Sequence, residues 1–301
     1  MFWLELRKLR WRLALASFLL AWPVVQDVSG LDLAPNANRA DKSGYTLWNP
    51  TPASLMRELS ADRPDKTDSA YTVDAGHYQL EIDLVNWTLD RHNPERRNVR
   101  LSVTEIAAAN IKLGVLNQLD VQFVLPAWHD ERVRDFTSGT IQGGRGFTDL
   151  VPRFKLNLWG NDGGATALAV LPFVKIPTAS RGIGNSAWEG GVKFPFAIDT
   201  PGWDVSAMTE FDWFRNQRSS GRHAEFANSL SIGREVLGKL SLYGEFYSSV
   251  STEHSATWVG TCNTWLTYQC SANVRVDAGV YIGVTRAAPD WHPFVGLTWR
   301  Y

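Results

Sequence analysis

Ten carboxylates recur at alternate positions of short extended stretches: Glu81, Asp83, Asp120, Glu189, Asp204, Glu210, Asp212, Glu225, Glu245 and Asp277. Six cations take the same parity, namely Arg100, Arg153, Lys155, Lys193, Arg275 and Arg300. Residues two apart on a strand share one face, so these charges are expected to point to a common side. If that side encloses a lumen, they would set the electrostatic selectivity for a passing solute. Alternatively they pair across neighbouring strands and fill the interior with ion-pair ladders. Ten acids against six bases favour cations or neutral solutes.

Other chemistries find less support. His92, His129, His223 and His254 lie near expected outer loops, with Ser138, Ser219, Ser220 and Ser255 close by. A surface lipid hydrolase would need a Ser–His pair with an orienting acid, and no nucleophile-elbow or triad context surrounds these residues. No catalytic residue, metal site or cofactor is expected. Cys262 and Cys270 fit an oxidising compartment. Along one strand they would stand roughly 26 Å apart at ~3.3 Å per residue, so a disulfide requires the chain between them to fold back. His77 opens the first expected strand on the inward parity, where it can cap a rim or bond to the preceding segment.

The elements that position these charges are strands. "HYQLEIDL" sets Tyr78, Leu80, Ile82 and Leu84 against polar neighbours, and "LSLYGEF" and "VRVDAGVYIGV" repeat the pattern. Such alternation over many segments predicts half-buried antiparallel strands. The stretch Ala165–Val174 departs from it, being apolar on both parities. Aromatics gather near strand ends on the apolar parity, and short turns interleave with longer loops such as Arg91–Arg97, Pro126–Gly146, Thr178–Asn185 and Gln217–Arg222. Together these features point to an all-β, antiparallel transmembrane barrel of about twelve strands over residues 75–301. The expected strands run over residues 75–89, 97–113, 119–127, 147–159, 165–177, 186–198, 203–216, 222–236, 240–251, 255–269, 273–285 and 291–301. In the last of them, Val295, Leu297 and Trp299 face lipid while Thr298 and Arg300 face inward. Trp299 and Tyr301 are candidate assembly signals, with Tyr301 at the periplasmic interface.

The first 30 residues read as a signal peptide: Arg7, Lys8, Arg10 and Arg12, then the apolar core Leu13–Val25, then Val28-Ser29-Gly30. A core of 13 residues is too short for a membrane helix, which needs about 20. Cleavage removes four basic and two acidic side chains and takes the net charge from −1 to −3. Nothing in that balance suggests nucleic acid as a partner. Residues 31–74 form a turn-rich periplasmic segment. Its stretch "NPTPASLMRELSADRPDKTDS" (Asn49–Ser69) is either a disordered leader or a plug that places Arg57, Arg63 and Asp65 against wall charges.

Four stretches carry a family likeness: Ala61–Glu81 ("ADRPDKTDSAYTVDAGHYQLE"), Leu113–Pro126, Phe173–Asn185 and Val274–Tyr301. Asp62-Arg63-Pro64-Asp65 followed by Ala75-Gly76-His77 and Glu81 is the most specific part. The chain resembles the outer-membrane transporter family named for the MetA-type pathway of phenol degradation. It departs at Ala179, where the family tends to have glycine after Pro177-Thr178. The resemblance implies a porin-like barrel in the outer membrane of a Gram-negative bacterium, passing small, hydrophobic or aromatic solutes. Its implied partners are outer-membrane lipid, the barrel-assembly machinery and the small-molecule solute. A closed structural or adhesive barrel is the alternative.

Overall fold

The structure is a computed structural model describing residues 41–91, 98–217 and 219–301, all within one compact unit spanning Asn38–Tyr301. The signal peptide, residues 31–40, most of the Arg91–Arg97 loop and His92 lie outside the described residues.

Fourteen strands are present among the described residues: β1 (Tyr78–Asp90), β2 (Val99–Leu116), β3 (Leu119–Val124), β4 (Trp128–Asp135), β5 (Ile141–Phe147), β6 (Val151–Trp159) and β7 (Thr166–Lys175), then β8 (Glu189–Thr200), β9 (Trp203–Arg215), β10 (Arg222–Leu237), β11 (Leu240–Ser251), β12 (Val259–Ser271), β13 (Val274–Gly283) and β14 (Trp291–Arg300). Every pairing is antiparallel, and β1 pairs with both β2 and β14, so the sheet closes on itself. β3 and β4 pair with successive halves of β2, and β6 and β5 with β3 and β4 respectively. Each of these two couples is one wall strand with a break, at Leu125–Ala127 and Thr148–Leu150. The wall therefore has twelve strands. Pro126, which has no N–H to give the ladder, occupies the first break.

The predicted loop Pro126–Gly146 is thus the β4–β5 hairpin, which prolongs the wall. Its sequence misleads because Trp128–Asp135 is charged on both parities, leaving no hydrophobic alternation to read. Its backbone nevertheless continues the ladder along β2, from Ile106↔Trp128 to Val99↔Asp135.

Polarity is inverted relative to a soluble domain. Gln79, Glu81, Lys112, Asp120, Gln122, Lys155, Glu245, Asp277 and Thr298 are buried, whereas Leu230, Leu242, Phe246, Leu266 and Val295 are exposed. The outward aromatics form two levels. Tyr78, Trp203, Tyr268, Trp299 and Tyr301 mark the lower, and Trp87, Trp128, Phe147, Trp213, Trp258 and Trp291 the upper. Eight to ten residues separate the levels on β1, β9 and β14. At ~3.3 Å per residue and a tilt of roughly 40°, that is a height of about 20–25 Å, the span of a bilayer's apolar band. The doubly apolar β7 has its own explanation. Ala167 packs with Ala197 of β8 and with Ala70 and Tyr71, which precede β1 in sequence.

Cys262 and Cys270 are free and exposed, both on the outward parity of β12. The fold-back that a disulfide needs does not occur, because the chain between them is extended and paired to β11 and β13. Reductant should therefore leave electrophoretic mobility unchanged, and both thiols of unreduced protein should accept a maleimide. A mobility shift on reduction would contradict this arrangement.

Candidate functional site

The segment before β1 enters the barrel at its lower end and returns there. Leu47 N–H donates to Val115 at 2.8 Å, and a 3-10 turn follows at Ala53–Leu55. Residues 57–73 then meet side chains of β1, β2, β6, β8, β10, β11 and β13. Gly76 N–H finally donates to Gly114 at 2.8 Å, and His77 Nε2 lies 2.7 Å from the Thr51 carbonyl. A single segment can touch strands all round a closed sheet only from inside it.

Charge is matched residue by residue along this path. Asp62 receives Lys155 at 2.5 Å, Lys112 at 2.7 Å and Arg153 at 3.3 Å, and its N–H donates to Glu81 at 3.1 Å. Lys112 also pairs with Glu81. Arg63 reaches Asp83 at 2.5 Å and also Asp277. Asp68 takes Lys193 at 2.7 Å and Arg153 at 3.4 Å. Glu245 accepts from the backbone N–H of Lys66 and Thr67, from the Thr67 hydroxyl at 2.7 Å and from Asn263 at 2.5 Å.

Two glycines show how closely the segment lies on the wall. A Cβ at Gly296 would meet the Arg63 guanidinium at 2.1 Å, and one at Gly114 would meet the Asp74 carbonyl at 2.0 Å. Only glycine leaves room for these approaches.

At the lower end, Arg57 pairs with Asp162 at 2.8 Å, as does Lys42 at 2.8 Å. Arg300 donates to the Arg57 carbonyl at 2.8 Å and to Asn273 at 2.9 Å. Asp162 sits in the turn between β6 and β7. Burial pushes its carboxyl upward, but hydrogen bonds from Lys42 and Asn117 and the charge of Arg57 outweigh this and hold it below the usual range.

The other inward residues divide into paired and open groups. Asp120 accepts from Val73 N–H at 3.0 Å and from Gln122 at 2.8 Å. Glu189 pairs with Lys175 at 2.8 Å, Asp204 accepts from Tyr243 at 2.7 Å, and Arg275 donates to the Arg63 carbonyl at 3.4 Å. A cavity of about 370 Å³ remains beside the segment. Asp65, Lys66, Glu210 and Tyr247 line one side of it, and Ala108 and Val124 line another. Lys66 lies 4.2 Å over the Tyr247 ring. Asp212 stands directly opposite Glu225 across β9 and β10, with Glu210 two residues away and Lys193 at 3.7 Å from Glu210. Glu225 accepts from Ser249.

Arg100 does not join this set. A bulge at Ala107, whose φ is 58°, and a register shift between Asp83 and Val85 reverse the parity of the upper parts of β1 and β2. Above it Glu105, Val103 and Leu101 face inward, so Arg100 and Ser102 face outward. Trp87, on the outward parity of β1, confirms the reversal by donating to Ser102 at 2.7 Å. Lys112, central to the Asp62 cluster, escaped sequence reasoning because it lies in the apolar run "AAANIKLGV". Its alternation with Ile111 and Leu113 was the available signal.

The described serines and histidines divide among several separate contacts. His129 bonds Glu105 at 2.9 Å, Ser138 bonds Asp135, and His223 lies 3.0 Å from Asn216. Ser255 sits 2.8 Å from the ring of its chain neighbour His254, and Ser219 bonds Asn216.

Removing one member of a buried charge cluster strands the others, at a cost of about 3–5 kcal/mol. Asp62→Ala leaves Lys112, Lys155 and Arg153 without their shared counter-ion. It should lower the thermal unfolding midpoint by several degrees and expose residues 57–74 to protease. An unchanged midpoint together with unchanged protection would refute this assignment of Asp62.

No curated protein matches the chain. Among solved structures, an outer membrane channel from Pseudomonas putida F1 superposes with a TM-score of 0.56 at 11% identity, covering 83% of this chain and 99% of that one. The NanC porin gives 0.48 at 8% identity, covering 73% and 98%. The CymD monoaromatic hydrocarbon channel gives 0.40 at 11%, covering 74% and 87%. At 11% identity the first of these likenesses speaks for the fold. Residues 61–301 match the model of the family described as "Putative MetA-pathway of phenol degradation". With its closed twelve-stranded wall, its two outward aromatic levels and its charged interior, the chain belongs to that family and is an outer-membrane β-barrel.

Proposed function

We propose that the barrel passes small solutes across the outer membrane by passive diffusion, with residues 57–74 serving as a plug. The observation that carries this reading is the segment's placement. It is held to strands on all sides of the interior, yet leaves a cavity of about 370 Å³ beside it. A purely structural barrel has no need of a folded segment inside that still leaves space. Family membership supports hydrophobic or aromatic solutes, and the Pseudomonas putida relative is itself a channel. Glu81, Asp83, Asp120, Arg153, Lys155, Glu189, Lys193, Glu210, Asp212, Glu225, Glu245, Arg275, Asp277 and Arg300 line the path. Residues 1–30 are removed on export. Binding along the path must stay weak enough for release.

Liposome swelling with graded neutral solutes tests the channel, and two variants test the plug. Arg63→Ala removes a tether, and Gly296→Leu fills the space the guanidinium occupies. Both should swell liposomes faster than the parent protein, and planar-bilayer reversal potentials should show cations preferred over anions. No swelling by parent or variants would establish a closed barrel, and clear anion preference would overturn the assigned charge balance.

Trp299 and Tyr301 belong to the seam. Tyr301 exchanges two backbone hydrogen bonds with Tyr78, at 2.8 and 3.1 Å, and their rings stack at 5.5 Å. We assign these aromatics to assembly rather than transport. Deleting Tyr301 should reduce the inserted fraction while leaving the conductance of inserted molecules unchanged. Normal insertion would count against the assignment.

A further inference from the structure

The parity reversal at Ala107 has an effect on the outer surface. On the outward face of β2, β4 and β5, just above the upper aromatic level, stand Arg100, Arg132, Arg134 and Arg145, all exposed. Arg132 and Arg145 are 65% and 61% exposed. Their height follows from the ladder. Ile106, Trp128 and Phe147 lie in one outward row, and Trp128 and Phe147 pack edge to face at 5.3 Å. The next rows up are Thr104, Asp130 and Arg145, then Ser102 and Arg132, then Arg100, Arg134 and Ile141. The indole N–H of Trp87 donates to Ser102 within this zone, placing polar partners at the level where lipid tails end.

The arrangement is electrostatically unfavourable by itself. Arg100 and Arg134 are direct cross-strand partners, and like charges opposed in this way repel. Asp130 bonds Arg145 at 2.9 Å and lies 3.7 Å from Arg132, but among the described residues it is the one acid on the face. Among the described residues no carboxylate pairs with Arg100 or Arg134. A related opposition occurs on β9 and β10, where Arg215 and Arg222 face each other directly above the outward Trp213, but there the Arg215 guanidinium donates to the Asn185 carbonyl at 3.1 Å. The Arg100–Arg134 pair, just above the aromatic level, calls for an external anion held at that height. Guanidinium groups bind phosphate in a planar, two-point geometry that suits this role.

We propose that the β2–β4–β5 face binds the phosphates of an outer-leaflet glycolipid, a bisphosphorylated lipid A headgroup, whose acyl chains lie against Trp87, Trp128 and Phe147. The site needs both the arginines and the apolar belt below them, which favours an amphipathic ligand over a free anion.

The test uses delipidated full-length protein in detergent, mixed with bisphosphorylated lipid A, with its dephosphorylated form, or with inorganic phosphate, and read by native mass spectrometry. The parent protein should retain bisphosphorylated lipid A and lose the dephosphorylated form. Arg100→Ser/Arg132→Ser/Arg134→Ser should weaken retention by at least about 10-fold, given the contribution of each interfacial cation. The corresponding Arg→Lys variant should recover part of it. Equal retention of the two lipid forms would overturn the proposal, and so would wild-type retention by the Ser variant. Displacement of the lipid by millimolar phosphate would overturn it in favour of a simple anion site. The comparison of lipid forms on the parent protein decides the matter even if the Ser variant fails to fold.

Discussion

Everything in this molecule follows from the lack of water in the bilayer core to satisfy a backbone N–H or C=O. An open sheet edge there costs several kcal/mol per group, so the sheet must close. Closure is achieved at the seam of β1 and β14, where Gln79↔Arg300 begins a register that runs up to Leu89↔Trp291. Once the sheet is closed, its two faces have different solvents. The outer face must be apolar across the lipid, and the inner face inherits the polar parity of every strand. The buried Lys112, Lys155 and Asp120 are consequences of that topology before they serve any function.

Inherited polarity creates a second problem. A charge inside a narrow barrel loses much of its hydration and needs a partner. The wall supplies part of the answer across strands, as between Lys175 and Glu189. The segment before β1 supplies the rest. Asp62 gathers three wall cations, Arg63 bridges two wall carboxylates, and Asp68 meets Lys193. Gly296 and Gly114 are the wall's accommodation of the segment, since a side chain at either would occupy its place. Wall and segment thus form one electrostatic unit despite their separation in sequence.

Much of this was legible in advance. Period-two alternation gave the strands, the count of twelve and the inward direction of nearly all the singled-out charges, because parity is a local property of an extended chain. The misreadings share one cause, which is that hydrogen-bonding partners are nonlocal. The β4–β5 hairpin has no apolar parity, yet it pairs because β2 offers a free edge beside it. Arg100 follows the pattern of its neighbours Asn98 and Ser102, but a single residue at positive φ, Ala107, turns the upper half of β2 over. The doubly apolar β7 looked anomalous until Ala70 and Tyr71 were found against its inner face. A disulfide between Cys262 and Cys270 was open only while their segment was unpaired.

The ion pairs also bear on how such an interior can open. Removing one partner in a dry site strands a charge, whereas withdrawing the whole segment lets water enter and hydrate both sets of charges together. The second route replaces buried pairs with hydrated ions, and the desolvation already spent on burying them is recovered. Displacing residues 57–74 as a whole is therefore cheaper per ion pair than removing single partners from the dry site. In the proposed plug the latch is the lower-end cluster, where Lys42, Arg57 and Arg300 meet Asp162 and Asp74. Asp162 is partly exposed there, so solvent can compete for its partners. The deep cluster around Asp62 offers no such entry until the latch has loosened. For the plug proposed above, solvent access at the lower rim is then the first step, and the segment leaves as a whole once that rim has loosened.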